Sequence, residues 1–167
     1  MGRSLIFRKG NITDFEEYYG LYKIFEKEYK KISICEIFFK FSKRQIKDEF
    51  CDKLKNYFVV AEFNGKITGY IEGIFYDKYK RGYIADLFVL KKFRNLSIAT
   101  KMKNIFLKEV QKRKYKQADL DVNVKNPAVN LYKKWGFKIA KYRMVKKLRW
   151  KLLFLVRLDL AKAHRQN

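Results

Sequence analysis

The order of elements legible in this chain predicts an α+β, or mixed α/β, domain with one sheet and helices on both of its faces. Two observations carry this: three consecutive strand-like runs in the middle of the chain, and two strand–helix steps after them. A third is composition, 48% hydrophobic and 17% aromatic over 167 residues, which suits one packed domain and not a disordered chain. A doubly wound nucleotide fold would alternate strand and helix from its start, and this chain does not.

Leu5 to Lys9 reads as a short opening strand. Thr13 or Asp14 can then cap a helix running to about Lys30, along which Phe15, Tyr18, Tyr19, Tyr22 and Phe25 recur near helical spacing. A second helix covers Lys43 to Leu54. Tyr57 to Phe63 is β-branched and aromatic, Asn64-Gly65 is a strong turn signal, and Lys66 to Tyr76 resumes as strand, so a hairpin is expected. Tyr83 to Leu90 is the next strand and Ser97 to about Arg113 a long helix. Gln117 to Val124 follows as strand, Pro127 to Trp135 as a short helix with proline in its first turn, and Phe137 to about Lys147 as the last strand.

The formal net charge is +23, and it is unevenly placed. Residues 1–90 hold 17 Lys/Arg against 13 Asp/Glu, a net of +4; residues 91–167 hold 23 against 4, a net of +19. Such a field attracts a phosphate-rich cofactor, an acidic partner, nucleic acid, a ribosome or an anionic membrane surface. The abundance of Lys, Ile, Asn, Tyr and Phe also fits an AT-rich coding sequence with no partner at all.

Cys35 and Cys51 form no C-x-x-C motif and no disulfide framework, so a reducing cytoplasm is the expected home. His164 is the only histidine and lies near the C-terminus, which argues against histidine-dependent zinc sites and Ser-His-Asp or Cys-His catalysis. No metal is expected. The apolar run Leu5 to Phe7 is far short of a signal-peptide core, and the longest apolar run, Leu152 to Val156, is five residues, so no transmembrane segment is expected.

The chemistry concentrates between Tyr83 and Arg113. There a strand runs through Ile84-Ala85-Asp86-Leu87-Phe88-Val89-Leu90, the chain turns at Lys91-Lys92-Phe93-Arg94-Asn95-Leu96, and a helix opens at Ser97-Ile98-Ala99-Thr100. The turn and the first helical turn expose unpaired N–H donors at the positive end of the helix dipole, an arrangement suited to a pyrophosphate. Any strand, turn and helix with lysines nearby shares that much.

Two motifs narrow the reading. Arg94-x-x-Ser97-x-Ala99 resembles the pyrophosphate signature of the GNAT (GCN5-related N-acetyltransferase) superfamily, Arg or Gln, two residues, Gly, one residue, Gly or Ala. Downstream, Asn126-Pro127-Ala128-Val129-Asn130-Leu131-Tyr132-Lys133-Lys134-Trp135-Gly136-Phe137 is similar to the family's second signature, N-P-A-x-x-L-Y-x-x-x-G-F. The resemblance covers about Phe58 to Lys147 well, and residues 1–56 only by element order. It implies a mostly antiparallel, splayed central sheet and acetyl-CoA as acetyl donor to a primary amine, whether a protein N-terminus, a lysine or a small molecule. Residues 1–147 are then the catalytic domain.

The same resemblance implies site roles. Leu87, Phe88 and Val89 present backbone to the pantetheine arm; Arg94, Asn95, Leu96, Ser97, Ile98, Ala99 and Thr100 surround the pyrophosphate; Asn126 contacts the CoA moiety. Ser97 departs from the usual glycine, and a side chain there either crowds the phosphates or donates a hydroxyl to them. A chain that had lost catalysis could carry the same change. A catalytically inactive protein of this fold that binds RNA, a ribosome or CoA is therefore the alternative.

Tyr132 matches the family's general acid, though a core tyrosine beside Leu131 and Trp135 would look alike. Asp121, in Leu120-Asp121-Val122, matches a catalytic glutamate of ribosomal-protein alanine acetyltransferases and is the first candidate base. Asp86 competes: it sits with Ile84 and Phe88 in an otherwise apolar strand, where an acid must be paired, protonated or functional. An ordered water can replace either.

For the acceptor, the first two helices offer Tyr18, Tyr19, Tyr22, Phe38, Phe39 and Phe41 among Glu16, Glu17, Glu26 and Glu28, which suits a cationic amine or, more plainly, an aromatic core with a solvated acidic face. Residues 148–167 form a basic, apolar extension expected to pack on the domain, on a second subunit as a homodimer contact, or on a membrane surface.

Overall fold

The computed structural model describes residues 4–33 and 40–146. Cys35, Phe38, Phe39 and the extension from residue 148 lie outside the described residues. The elements follow the order β1 (Leu5–Lys9), α1 (Phe15–Ile32), α2 (Lys43–Lys55), β2 (Tyr57–Phe63), β3 (Lys66–Tyr76), β4 (Arg81–Val89), α3 (Ile98–Lys112), β5 (Gln117–Leu120) and α4 (Ala128–Lys134), with single 3-10 turns before α1, before β4 and before α3. The five strands lie in sequence order, antiparallel throughout except for the parallel pair of β4 and β5. This is the mixed α/β sheet that the sequence predicts.

Alternation along β2 and β3, shifted by one residue at a bulge at Thr68, sends two sets of side chains to opposite faces. Phe58, Val60, Ile67 and Tyr70 meet Phe15, Tyr18 and Leu21 of α1 and Ile46 and Phe50 of α2. Val59, Ala61 and Ile71 meet Ile98, Met102, Phe106 and Val110 of α3. The first face is aromatic: the Tyr18 and Phe50 rings stack at 4.5 Å, and Phe58 stands edge-on to Phe50 at 5.6 Å. Each such ring, fully removed from water, contributes about 1.5–3 kcal/mol. On the second face α3 approaches closely because a Cβ at Gly73 would overlap the Phe106 ring, and one at Gly82 would meet Val110 and Phe106.

Three local expectations change. The start of α1 is capped one turn earlier than expected: the Asn11 side chain accepts from Thr13 N–H, and Asp14 accepts from Asn11 N–H at 2.9 Å. The Asp14 carboxylate also accepts from both Arg8 Nη groups at 2.8 Å, and it makes no capping bond to α1. β5 ends at Leu120, short of the expected Val124. Residues 137–146 form no strand, against the expected final strand from Phe137; their side chains are mostly exposed, and without a buried face alternation alone holds no strand in place.

Candidate active site

β4 is two strands in one. Its first half is paired on both sides: Arg81 to Ile84 lie opposite Gln117 to Leu120 of β5 and opposite Tyr76 to Gly73 of β3. Then the β3 register slips. Gly73 faces Ile84 while Glu72 faces Asp86, so Ala85 is an extra residue, a β-bulge. Pairing with β5 ends at Ile84, so the backbone groups of β4 that face β5 beyond that point meet no strand. The bulge also reverses the side-chain parity. Ile84 belongs to the α3 core, whereas Phe88 belongs to the α1/α2 core, so the expected shared face of Ile84, Asp86 and Phe88 is divided, and Asp86 turns with Phe88 toward α1 and α2.

Asp86 ends in a buried polar cluster. Its Oδ2 accepts from the Tyr70 hydroxyl at 3.3 Å and lies 3.6 Å from Lys53 Nζ of α2. Lys53 donates to Glu72 at 2.7 Å, Asn56 donates to the other Glu72 oxygen at 2.8 Å, and Glu49 lies 3.4 Å from the ammonium. The exposures are 17% for the Asp86 side chain, 13% for Lys53 and 6% for Glu72. Burial pushes the Asp86 carboxyl up to about 6, with Lys53 pulling down and Glu72 pushing up. Lys53 is held well above its usual range because the surrounding carboxylates outweigh its own desolvation. The buried Tyr18 hydroxyl finds no partner among the described residues.

Tyr132 comes from the far side of the opening, on α4. Its ring stands edge-on to Trp135 at 5.6 Å and to Phe137 at 6.3 Å, which locks it in place. Trp135 in turn faces the Lys103 ammonium of α3 at 5.3 Å. Burial raises the Tyr132 phenol, and the Asp86 charge raises it further, so the two groups share one electrostatic environment. Asn126 Oδ1 accepts from Ala128 N–H at 2.9 Å and fixes the entry to α4.

Asp121 is placed differently. It lies one residue beyond β5, exposed, with the Tyr83 hydroxyl at 3.4 Å as its contact. Asp119, its neighbour on the same predicted polar face, is bound to Arg81 at 2.8 Å.

The turn after β4 carries the anion-site geometry. Asn95 and Ser97 both take left-handed backbone, with φ of 66° and 58°. A glycine occupies that region at no cost, whereas a side chain there costs on the order of 1 kcal/mol. Ser97 stands at the N-cap position of α3 without a capping hydrogen bond, and the first helical bond of α3 runs from Lys101 N–H to the Ser97 carbonyl at 3.0 Å. The N–H groups of Ile98, Ala99 and Thr100 thus precede the ladder and point out of the helix end. Arg94 is tied down: Nε donates to the Val89 carbonyl at 2.9 Å and the guanidinium reaches Glu28 of α1 at 2.5 Å. Leu87, Phe88 and Val89 lead into this turn, with Leu96 exposed at its tip.

The aromatic and acidic helices resolve toward packing. Tyr18 is 2% exposed and belongs to the core. Glu16 pairs with Lys43 at 2.7 Å, Glu17 accepts from Ile67 N–H at 2.7 Å, Glu26 pairs with Lys30 at 2.7 Å, and Glu28 holds Arg94. A cavity of about 260 Å³ between α1 and the start of α2 is lined by Tyr22, Lys23, Glu26, Lys30, Lys40, Phe41 and Ile46. Its lining carries three lysines against one glutamate, so it does not repeat the expected acidic groove.

Lys53, Glu72, Asn56 and Tyr70 were not legible as site residues from sequence. Glu72 carried the one available signal, an acid inside the apolar run Tyr70-Ile71-Glu72-Gly73-Ile74, the same signal that marks Asp86. Among the described residues no three His, Cys, Asp or Glu side chains cluster closely enough to hold a metal ion.

A sheet whose fourth and fifth strands part at a bulge, a helix N-terminus at that opening and a short helix across it together define an acyltransferase-type fold. The chain belongs to the acetyltransferase (GNAT) family, whose model matches residues 18–137. It is 36% identical over 107 residues to an N-alpha-acetyltransferase of Sulfurisphaera tokodaii, covering 55% of this chain and 64% of that protein, so the chain spans somewhat less than two thirds of this relative's length. Among solved structures it is similar to the aminoglycoside N-acetyltransferase AAC(6')-Iy in complex with CoA, with a TM-score of 0.70, 15% identity and coverage of 89% and 97%. It is also similar to a PaiA N-acetyltransferase of Thermoplasma acidophilum in complex with coenzyme A, with a TM-score of 0.68, 20% identity and coverage of 84% and 93%. A third such structure is Ard1 of Thermoplasma volcanium, with a TM-score of 0.63, 21% identity and coverage of 82% and 84%. At these identities the structures establish the fold. Among the described residues no helix is long and apolar enough to cross a membrane.

Proposed function

We propose that this protein transfers an acetyl group from acetyl-CoA to a primary amine at the opening between β4 and β5. The observation that carries the reading is the coincidence, at one opening, of the Ala85 bulge, the buried Asp86, the Tyr132 hydroxyl across from it and the uncapped N-terminus of α3.

The residues fit the cofactor. The N–H groups of the first turn of α3 and the left-handed turn at Asn95 and Ser97 suit the pyrophosphate, while the unpaired edge of β4 at Leu87, Phe88 and Val89 suits the pantetheine amides. Asn126, whose side chain fixes the entry to α4, is the candidate for a contact with the CoA moiety. Acetyl-CoA, when bound, supplies a thioester that an amine can attack directly. The sum is amine plus thioester giving amide plus thiol, with one proton moved from the amine to the leaving sulfur.

Asp86 serves as the base, in preference to Asp121. A carboxyl raised to about 6 is ionised at neutral pH yet basic enough to accept a proton, whereas Asp121 is exposed and outside the cluster. Lys53 and Glu72 hold that balance: the ammonium keeps Asp86 ionisable in spite of its burial, and Glu72 keeps the ammonium from neutralising it fully. Tyr132, kept protonated by burial and by Asp86, is the acid that gives its proton to the departing thiolate.

Magnitudes select the acceptor class. An α-amine, with a pKa of about 8, lies closer to the raised Asp86 carboxyl and gives up its proton to it more readily. A lysine ammonium, at about 10.4, lies much further above it. A protein N-terminus is therefore the acceptor of first choice, which agrees with the name of the Sulfurisphaera relative. The test is thiol release from acetyl-CoA over a panel of peptides with free or blocked N-termini and of small amines. Release with free N-termini is expected; absence of acetyl-CoA binding by calorimetry at high micromolar concentration sinks the reading.

A further inference from the structure

The far end of β4 carries a second feature, which the acetyl-transfer reading leaves unused. Two turns meet there: the 3-10 turn Asp77–Tyr79 with Lys80, ahead of β4, and the segment Arg113 to Lys116 between α3 and β5. Lys116 N–H donates to the Lys80 carbonyl at 3.1 Å, and the Tyr115 hydroxyl donates to Asp77, so the two turns form one rigid surface. Lys78, Lys80, Lys112, Arg113, Lys114 and Lys116 all project from it, exposed.

Few acids oppose them. Asp77 accepts from Tyr115, and Glu109 is shared by Lys112 at 3.8 Å and Arg113 at 3.6 Å. Lys78, Lys80, Lys114 and Lys116 have no carboxylate partner among the described residues. On the helices on the other side of the sheet, Lys23, Lys30, Lys43, Lys53 and Lys55 each meet a carboxylate, and the remaining cations there are spread along two helices and not gathered at one point. What sets the four lysines of these turns apart is that they are gathered on two segments bonded to one another.

One aromatic ring stands in the middle of it. Tyr79 is 65% exposed, with Lys78 Nζ 5.7 Å from its centroid and the Arg81 guanidinium 5.8 Å away, and Arg81 also lies 4.9 Å from Tyr76. An exposed ring flanked by cations is a platform on which a base can stack while its phosphates meet the lysines. Tyr79 is also the one large exposed apolar side chain of these two turns, so there is no aliphatic wedge with which to enter a bilayer. The paired half of β4, Arg81 to Ile84, lies between this surface and the opening that begins at Ala85, a span on the order of 15 Å along the strand.

We propose that this surface binds single-stranded nucleic acid, with Tyr79 stacking on a base and Lys78, Lys80, Lys114 and Lys116 contacting phosphates. The proposal does not depend on catalysis at the other end of β4. Its test is fluorescence anisotropy of the full chain with a labelled 20-nucleotide oligouridylate, with oligothymidylate to separate RNA from DNA, at 50 and 200 mM NaCl. K78E/K80E/K114E/K116E is expected to weaken binding at least tenfold and to reduce the slope of log K against log salt by about 3. K27E/K47E/K66E/K138E, the same charge change placed elsewhere, is expected to weaken it far less. Y79A is expected to cost about fivefold or more at both salts, and a 4-thiouridine probe is expected to crosslink to the Asp77–Arg81 peptide. Should the fourfold variant misfold by circular dichroism, Y79A and the crosslink decide. Equal loss in both charge-reversed variants, a crosslink confined elsewhere, or binding to phosphatidylserine vesicles in place of oligouridylate would overturn the proposal.

Discussion

The two halves of β4 have the same neighbours in sequence order and opposite fates. In the half from Arg81 to Ile84, β3 and β5 satisfy the backbone and the acids stay near the surface, Asp119 paired with Arg81 and Asp121 accepting from the Tyr83 hydroxyl. In the half from Ala85 to Val89, β5 has departed, one edge of backbone is open, and the acid is buried among Lys53, Glu72 and Tyr70. One inserted residue, Ala85, separates a strand paired on both sides from one paired on a single side. On the function proposed above, the bulge marks both halves of a site: an open edge beyond it for the cofactor and a carboxylate turned into a desolvated pocket.

Exchanging the roles of the two halves breaks this comparison most sharply. D86N removes the proposed base and is expected to lower kcat by roughly 10²- to 10³-fold with acetyl-CoA affinity retained, read by thiol release and calorimetry. Y132F, on the other side of the opening, is expected to lower kcat by about 10²-fold with little change in KM. K53M takes away the cation that keeps Asp86 ionisable. The carboxyl then rises further, the acid limb of the kcat profile moves to higher pH, and activity at pH 7 falls by roughly tenfold. D121N, in the paired half, is expected to stay within about threefold of the unaltered chain. Smallest is S97G at the open end. It relieves the left-handed strain and is expected to raise stability by about 1 kcal/mol, a Tm increase of about 3 °C by thermal unfolding.

Sequence alone made the paired regions legible and left the open ones obscure, for physical reasons. The β2–β3 hairpin follows from Asn64-Gly65, whose left-handed φ values of 50° and 74° are those the tight turn requires, and the helices followed from apolar spacing. Those are local interactions. The early end of β5 and the absence of strand over residues 137–146 depend on what a neighbouring chain segment offers, which no periodicity contains. Asp86 was legible as an anomaly, an acid in an apolar run, but its partners were not. Lys53 lies on α2, and the contact with Glu72 and Asp86 exists only once that helix lies on the sheet. The parity reversal at Ala85 was equally hidden, because a bulge leaves no mark in an apolar strand that strict alternation fits as well.

The most direct measurement is the pH dependence of thiol release for the unaltered chain, D86N and D121N, side by side with one acceptor peptide. For a base that must be ionised, the rate falls as pH drops through the Asp86 value. A limb near pH 6 is therefore expected in the unaltered chain and in D121N and is expected to vanish, with most of the activity, in D86N. A limb that persists near full rate in D86N, or that disappears in D121N, would contradict the assignment of chemistry to the open half of β4.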